Sequence, residues 1–358
     1  MSDDSRQPTD RGHDGDDGGR RAEEVVDRFE QLRSEAEQRR ETADKGVLLD
    51  QLDSVEERLI AFGRALGGDI DSVAELPFTE EAKTDGMPEP LYVRHDTEML
   101  NQVTSWLLQN QHIGLVSPYG TCKSAVREIV LRDLQQYEQF IVAHLENPRE
   151  TTPRQLYQTI LEETMGEGYE LDTDQYWQTR DGIPWATEEA RDAVYELSRK
   201  VRAEDRTILL LVDEIEVLPE ELLSPLQVAG DAGVRLFLLG TPDGKERIAR
   251  LRGTLDSRLR YYEGIDSFSP ADVAEYIARS FAYFRGDPYD GQDPPLFTAR
   301  AIRDIHERTD GNPRAVRLEC MDLFARAAFV WHRSGTDIER VNITPALRNR
   351  SIAMGPPE

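Results

Sequence analysis

From Leu91 onward the apolar positions follow two different periods. Short apolar-rich runs at His112–Val116, Phe140–Leu145, Thr207–Val212 and Arg235–Gly240 have the length of buried strands. The segments between them repeat apolar residues every three or four positions, as helices do. This alternation predicts an α/β fold: a parallel sheet with helices on both faces. Helices are expected at Thr97–Gln109, from Lys123 to near Gln136, at Pro153–Met165, in a segment ending near Ala203, and at Pro219–Ala229. A short fifth strand is expected near Gly264–Phe268. Beyond it the pattern is helical only. Ser269-Pro270, Thr298, Pro313 and Thr344-Pro345 mark helix starts, because a hydroxyl caps the first turn and proline is tolerated at its first position. The helix opened by Pro313 should run to about Arg333.

The first ninety residues read differently. Residues 1–22 hold Gly, Asp, Arg and Ser with almost nothing apolar, too little to offset ordering entropy, and predict a disordered acidic tail. Over 23–66 the spacing turns helical, first through Val25, Phe29, Leu32 and Ala36, then through Leu48, Leu52, Val55, Leu59, Phe62 and Leu66. A register shift and Gly46 separate the runs, so a helical hairpin or a short coiled coil is expected. It serves either as a pair docked on its own chain or as an oligomerisation handle. Residues 67–90, with Gly67, Gly68, Pro77, Pro88 and Pro90, predict a linker. The expected division is then an α/β core over 91–266 and a helical domain over 267–358.

Composition narrows the setting. The chain has 358 residues and a net charge of -26, and its 43 basic residues comprise five Lys and 38 Arg. A carboxylate surplus with so little lysine resembles proteins of salt-loving archaea, in which hydrated acidic surfaces keep the chain soluble. Acidity is then a solvent adaptation that argues neither for nor against DNA. With Cys122 and Cys320 alone, no disulfide framework or metal cluster is implied. The longest wholly apolar run, Ile208–Val212, is too short to cross a bilayer, and "MSDDSRQPTD" lacks a signal-peptide core, so a cytoplasmic protein is expected.

The chemistry concentrates in "SPYGTCKS" (117–124), which follows a strand and opens a helix. In that setting backbone amides and a helix N-terminus face phosphates, a lysine reaches the terminal ones, and a hydroxyl holds magnesium. Gly120, Thr121, Cys122, Lys123 and Ser124 are the candidate binding residues. The pattern G-x-x-x-x-G-K-[ST] asks for glycine at 117 and 122, where Ser117 and Cys122 stand. A side chain at 122, where a positive φ is expected, costs about 1 to 2 kcal/mol, equivalent to a 5- to 30-fold loss of affinity if it falls on binding. Ninety positions on, the buried run "TILLLV" ends in Asp213-Glu214. At the C-terminal edge of a parallel sheet, Asp213 would order a magnesium shell and Glu214 would polarise water. A thiol at a helix N-terminus beside Lys123 could also have a lowered pKa.

Together with "RLFLLGTPD", "TLDSRL" and "DGNPRAV", these motifs resemble an AAA+ P-loop ATPase. They most resemble the group containing archaeal origin-recognition initiators and the secretion- and transposition-helper ATPases. The likeness runs from about Leu91 to Ala328. "LYVRHDTEMLNQVTSWL" resembles the segment that in this group lies beside adenine. By position, the resemblance implies that Thr241 senses the terminal phosphate, that Arg258 reaches a neighbouring subunit's site, and that Arg314 contacts phosphate from a C-terminal lid. It implies ATP and Mg2+ as cofactors and a homo-oligomer. Two dozen residues after Arg333 leave little room for the winged-helix DNA reader usual in initiators, which shifts the expectation to a nucleotide-dependent switch or assembly factor. The alternative is a degenerate, non-hydrolysing scaffold that docks partners through its N-terminal helices. Direct DNA binding rests on arginine clusters such as "RIARLRGTLDSRLR". Cys320, on the stripe Val316, Cys320, Leu323, Phe324 and Ala327, is expected in the core.

Overall fold

The computed structural model describes residues 45–79, 88–94, 96–145 and 147–349. The tail at 1–22 and the run from Val25 to Ala36 lie outside them. The chain divides into two compact units, Met1–Arg58 and Leu59–Glu358. Helix α1 (Lys45–Ala65) is the described part of the first and opens the second. It is followed in chain order by α2 (Thr97–Leu108), β1 (His112–Val116), α3 (Lys123–Gln135), β2 (Phe140–Leu145) and α4 (Pro153–Gly166). A two-residue ribbon, β3 (Thr179–Arg180) and β4 (Ile183–Pro184), precedes α5 (Thr187–Ala203), β5 (Thr207–Val212), α6 (Glu220–Ala232) and β6 (Arg235–Gly240). Then come α7 (Pro242–Leu251), α8 (Gly253–Asp256), β7 (Leu259–Glu263), α9 (Pro270–Arg285), α10 (Ala299–Thr309) and α11 (Pro313–Ser334).

Five strands form one parallel sheet in the order β2-β5-β6-β1-β7. The unbroken apolar run of β5 is explained by burial on both faces, since successive side chains point to opposite sides. Ile208, Leu210 and Val212 pack with Leu156, Ile160, Leu197 and Leu226 from α4, α5 and α6. Leu209 and Leu211 pack with Met99, Val103, Val126 and Val130 from α2 and α3. The fold is thus an α/β P-loop fold with C-terminal helices and an N-terminal helix.

The fifth strand is Leu259–Glu263, not the expected Gly264–Phe268. Its sequence, LRYYE, lies at the sheet edge, pairs with β1 alone and is largely half-exposed, so its charged residues hid it among arginine-rich neighbours. Gly264, at φ +80°, ends it.

The first part of the segment expected as a linker is packed. Ile70, Leu76 and Phe78 are buried with Phe62 among the C-terminal helices. The Phe78 ring lies 5.7 to 6.3 Å from those of Tyr276, Phe281, Phe297 and Phe324. Three apolar anchors outweigh the Gly/Pro composition that suggested a free connector. In the same cluster Val316, Cys320, Leu323, Phe324 and Ala327 form the buried stripe of α11. The expected caps Ser269 and Thr298 accept from amides in the first turns of α9 and α10, and Asn312 does so for α11, which starts at Pro313 as expected.

Candidate functional site

Strand register brings three loops to one edge of the sheet. Val116 pairs with Gly240, and Val212 with Leu238, so the chain leaves β1, β6 and β5 at neighbouring points. Ser117, Thr241 and Asp213 are the first residues beyond. This C-terminal edge is where open α/β sheets bind ligands.

Ser117 is fully buried, and the loop uses it. Its amide donates to the Gly240 carbonyl at 3.0 Å, and its hydroxyl accepts from the Ile265 amide at 3.2 Å. Ser117 is not among the described residues with positive φ, so this position has no conformational need of glycine. Gly120 does, with φ +83° and an ideal Cβ only 2.5 Å from Asn312 Oδ1. Thr121 donates its hydroxyl to the Pro118 carbonyl at 2.8 Å. Cys122 takes φ 64°, ψ 18°, the left-handed shape, while its carbonyl accepts the first helical bond of α3 from Val126 at 3.0 Å. The backbone therefore has the form a glycine favours, with a Cβ added. Because the residue already holds this form, the strain of about 1 to 2 kcal/mol burdens folding of the loop. The expectation of a lowered thiol pKa is overturned: burial pushes Cys122 up to about 12, and the nearby Lys123 charge opposes this only in part.

The Lys123 ammonium donates to the carbonyls of Ser117, at 2.8 Å, and Pro118, at 2.7 Å. Burial pushes its pKa down, while Glu216, Asp213, Cys122 and Glu214 oppose the shift, in that order. The lysine and both predicted carboxylates thus meet in one electrostatic neighbourhood. Asp213, nearly buried, accepts from the Glu214 amide at 2.8 Å through Oδ1 and from Arg127 Nη1 at 3.1 Å through Oδ2. Glu214 is exposed and left-handed (φ 55°, ψ 49°), where it turns the chain out of β5. Thr241 caps α7 by accepting from the Gly244 amide at 3.4 Å.

Two groups here escaped sequence reasoning. Glu216 accepts from the Thr241 amide at 3.1 Å, and its charge is the chief cause raising the pKa of the exposed Tyr119 phenol. Its signal was the third acid of "DEIE", two positions past Glu214. Arg127 lies one turn beyond Lys123 on α3, and nothing in the sequence marked it among 38 arginines.

The C-terminal helices touch the loop directly. Asn312 Nδ2 donates to the Tyr119 carbonyl at 3.0 Å, and the Arg314 amide donates to that of Gly120 at 3.2 Å. The first turn of α11 is therefore fastened to the loop tip, with the Arg314 side chain exposed. The lead-in segment is tied in through buried Asp96, which accepts from the amides of Met99 (2.7 Å) and Asp266 (3.1 Å). The Tyr92 hydroxyl is buried with no hydrogen-bond partner among the described residues. Burial, with a contribution from Cys122, pushes its pKa up to about 12.

Arg258 is the outlier. It precedes β7, whose first residue pairs with His112 at the start of β1, so it sits at the opposite sheet edge, roughly 15 Å along the strands. There it pairs with Asp231. Its neighbours in the arginine cluster are also engaged within the chain: Arg247 with the Leu218 carbonyl, Arg252 with Gln227 and Ser224.

Among the described residues no group of three or more His, Cys, Asp or Glu could hold a metal ion by itself. Magnesium carried by a nucleotide uses one or two protein oxygens beside phosphates, and the Asp213 carboxylate and Ser124 hydroxyl are donors of that kind. Ser124 and Arg127 share a face of α3 at i, i+3 spacing, and Arg127 donates to Asp213.

Residues 107–248 match the family described as AAA domain. The match spans the strand before the loop, the loop itself, Asp213-Glu214 and Thr241. No curated protein matches the chain in sequence. In structure, the chain is similar to Cdc6p from Pyrobaculum aerophilum, at 15% identity over 73% of this chain and 66% of that one, with TM-score 0.44. It is similar to the Aeropyrum pernix ORC2 protein in its ADPNP-ADP complexes, at 15% identity over 76% and 72%, with TM-score 0.44. It is also similar to a Walker-type ATPase of Pyrococcus abyssi, at 14% identity over 69% and 73%, with TM-score 0.42. The chain spans just under two thirds of the Pyrobaculum protein's length. Among the described residues no helix is long and apolar enough to cross a membrane.

Proposed function

We propose that this chain binds ATP with Mg2+ at the C-terminal edge of its sheet, hydrolyses it slowly, and uses the cycle as a switch or assembly step. One observation supports the reading most: the loop after β1, where the Lys123 ammonium donates to the carbonyls of Ser117 and Pro118, leaves the same sheet edge from which β5 delivers Asp213-Glu214 and β6 delivers Thr241. Magnesium, when bound with the nucleotide, would supply charge neutralisation on the phosphates.

In this proposal the Lys123 ammonium exchanges its two loop carbonyls for phosphate oxygens. Ser124 and Asp213 would hold the ion, and Gly120, Thr121 and Cys122 would offer backbone to the phosphates. Glu214 orients the attacking water and accepts its proton, and Thr241 stands beside the terminal phosphate. Arg314, on the first turn of α11, brings a planar guanidinium from the C-terminal helices and so couples their position to the phosphates. Arg258, far from its own loop, serves a neighbouring subunit in a homo-oligomer. Domain limits of 91–266 for the nucleotide core and 267–358 for the lid belong to the same proposal, as does a cytoplasmic, high-salt setting.

Phosphate release measured in molar KCl for the natural chain and for Glu214→Gln tests it. The reading expects turnover that the substitution lowers by at least tenfold. Equal rates at background would replace it with the non-hydrolysing scaffold.

A further inference from the structure

The proposal above does not use Arg127, yet Arg127 holds the carboxylate on which the magnesium assignment depends. Its guanidinium bridges two acids. Nη1 donates to Asp213 Oδ2 at 3.1 Å, while Nε and Nη2 donate to Glu128 Oε1 at 3.0 and 2.5 Å. The Asp213 side chain is only 10% exposed and that of Arg127 20%, so solvent screens this pair less than a surface pair. The other Asp213 oxygen accepts from the Glu214 amide. Both oxygens of the proposed ion ligand are thus engaged within the chain, one of them by a fixed positive charge.

We infer that Arg127 is a positioning residue that competes with the divalent ion for Asp213 and so sets how much Mg2+ the site needs to take up nucleotide. A cation and a guanidinium cannot both neutralise the same carboxylate oxygen at close range without repelling one another. Ion entry therefore requires Arg127 to swing toward Glu128, which already accepts two of its N–H groups. With magnesium scarce, Arg127 keeps Asp213 neutralised and aimed at α3. With magnesium abundant, Glu128 receives the displaced side chain. The inference rests on the nucleotide reading.

The test is equilibrium binding of a fluorescent ATP analogue in molar KCl, titrated with MgCl2 from EDTA upward. Arg127→Gln should lower the magnesium midpoint at least threefold. Asp213→Asn should cancel that effect, so that adding Arg127→Gln to it moves the midpoint no further. Arg132→Gln, the same charge change farther along α3, should leave the midpoint where it was. Thermal melting checks that each variant folds. If Arg127→Gln does not fold, Arg127→Lys, which keeps the charge and loses the planar fork, should give a smaller shift in the same direction. An unchanged or raised midpoint, or an equal shift with Asp213→Asn present, overturns the inference while leaving nucleotide binding standing. Absence of saturable binding by the natural chain at any magnesium level overturns both.

Discussion

Replacing Cys122 by glycine and by alanine separates backbone strain from side-chain packing at the phosphate loop. At φ 64°, ψ 18° a residue with a Cβ costs about 1 to 2 kcal/mol relative to glycine. Glycine in turn loses about 0.5 to 1 kcal/mol more unfolded-state freedom than alanine. The difference leaves Cys122→Gly more stable than Cys122→Ala by up to about 1.5 kcal/mol, and by about 0.75 kcal/mol at the middle of both ranges, although both lose the same thiol. At an ordinary helical position the order is reversed, with alanine ahead by a similar amount. The comparison is read from urea denaturation in molar KCl as a difference in midpoint at constant slope. Alanine ahead of glycine, the order of an ordinary helical position, would refute the assignment of strain to this residue. Because Cys122 already holds the required backbone, the same account places the glycine effect on nucleotide affinity below the 5- to 30-fold that applies when binding itself must impose the strain.

Ser117→Gly restores the glycine that the loop pattern asks for, yet it should destabilise the chain by about 1 to 3 kcal/mol, because the buried Ile265 amide loses the hydroxyl it donates to; urea denaturation of the variant checks this. His112 Nδ1 accepts from the Leu236 amide at 3.1 Å. Burial first, then Arg235 and Arg258, holds its pKa down to about 4. The unfolded chain therefore binds more protons between about pH 6.5 and pH 4, so stability should fall as pH drops through that window. His112→Gln should flatten this part of a pH series of thermal melts.

Much of the sheet was legible because β5 and its neighbours are buried on both faces, which leaves a run of apolar residues with no polar interruption. β7 escaped for the opposite reason: an edge strand with a half-exposed face can carry Arg260 and Glu263 and still pair. Composition over 67–90 counts glycines and prolines, whereas packing of its first part depends on Ile70, Leu76 and Phe78 finding α9 and α11 about two hundred residues later. At the site, Lys123 and Asp213 could be proposed from motif spacing. Arg127, Glu216 and Asn312 could not, since each acquires its place only when α3, the turn after β5 and the first turn of α11 meet at one sheet edge. Ser117 looked like a defect in a pattern, and its buried hydroxyl proves to be a tether for the chain entering the C-terminal helices.

The central claim is that the Lys123 ammonium and the Asp213 carboxylate serve one nucleotide. Titration calorimetry with magnesium-ATP in molar KCl, run on the natural chain, Lys123→Ala and Asp213→Asn, tests it most directly. Saturable binding by the natural chain, weakened at least tenfold by Lys123→Ala and left with a higher magnesium requirement by Asp213→Asn, is the predicted result. Undiminished binding by Lys123→Ala, or no binding by the natural chain, would contradict it.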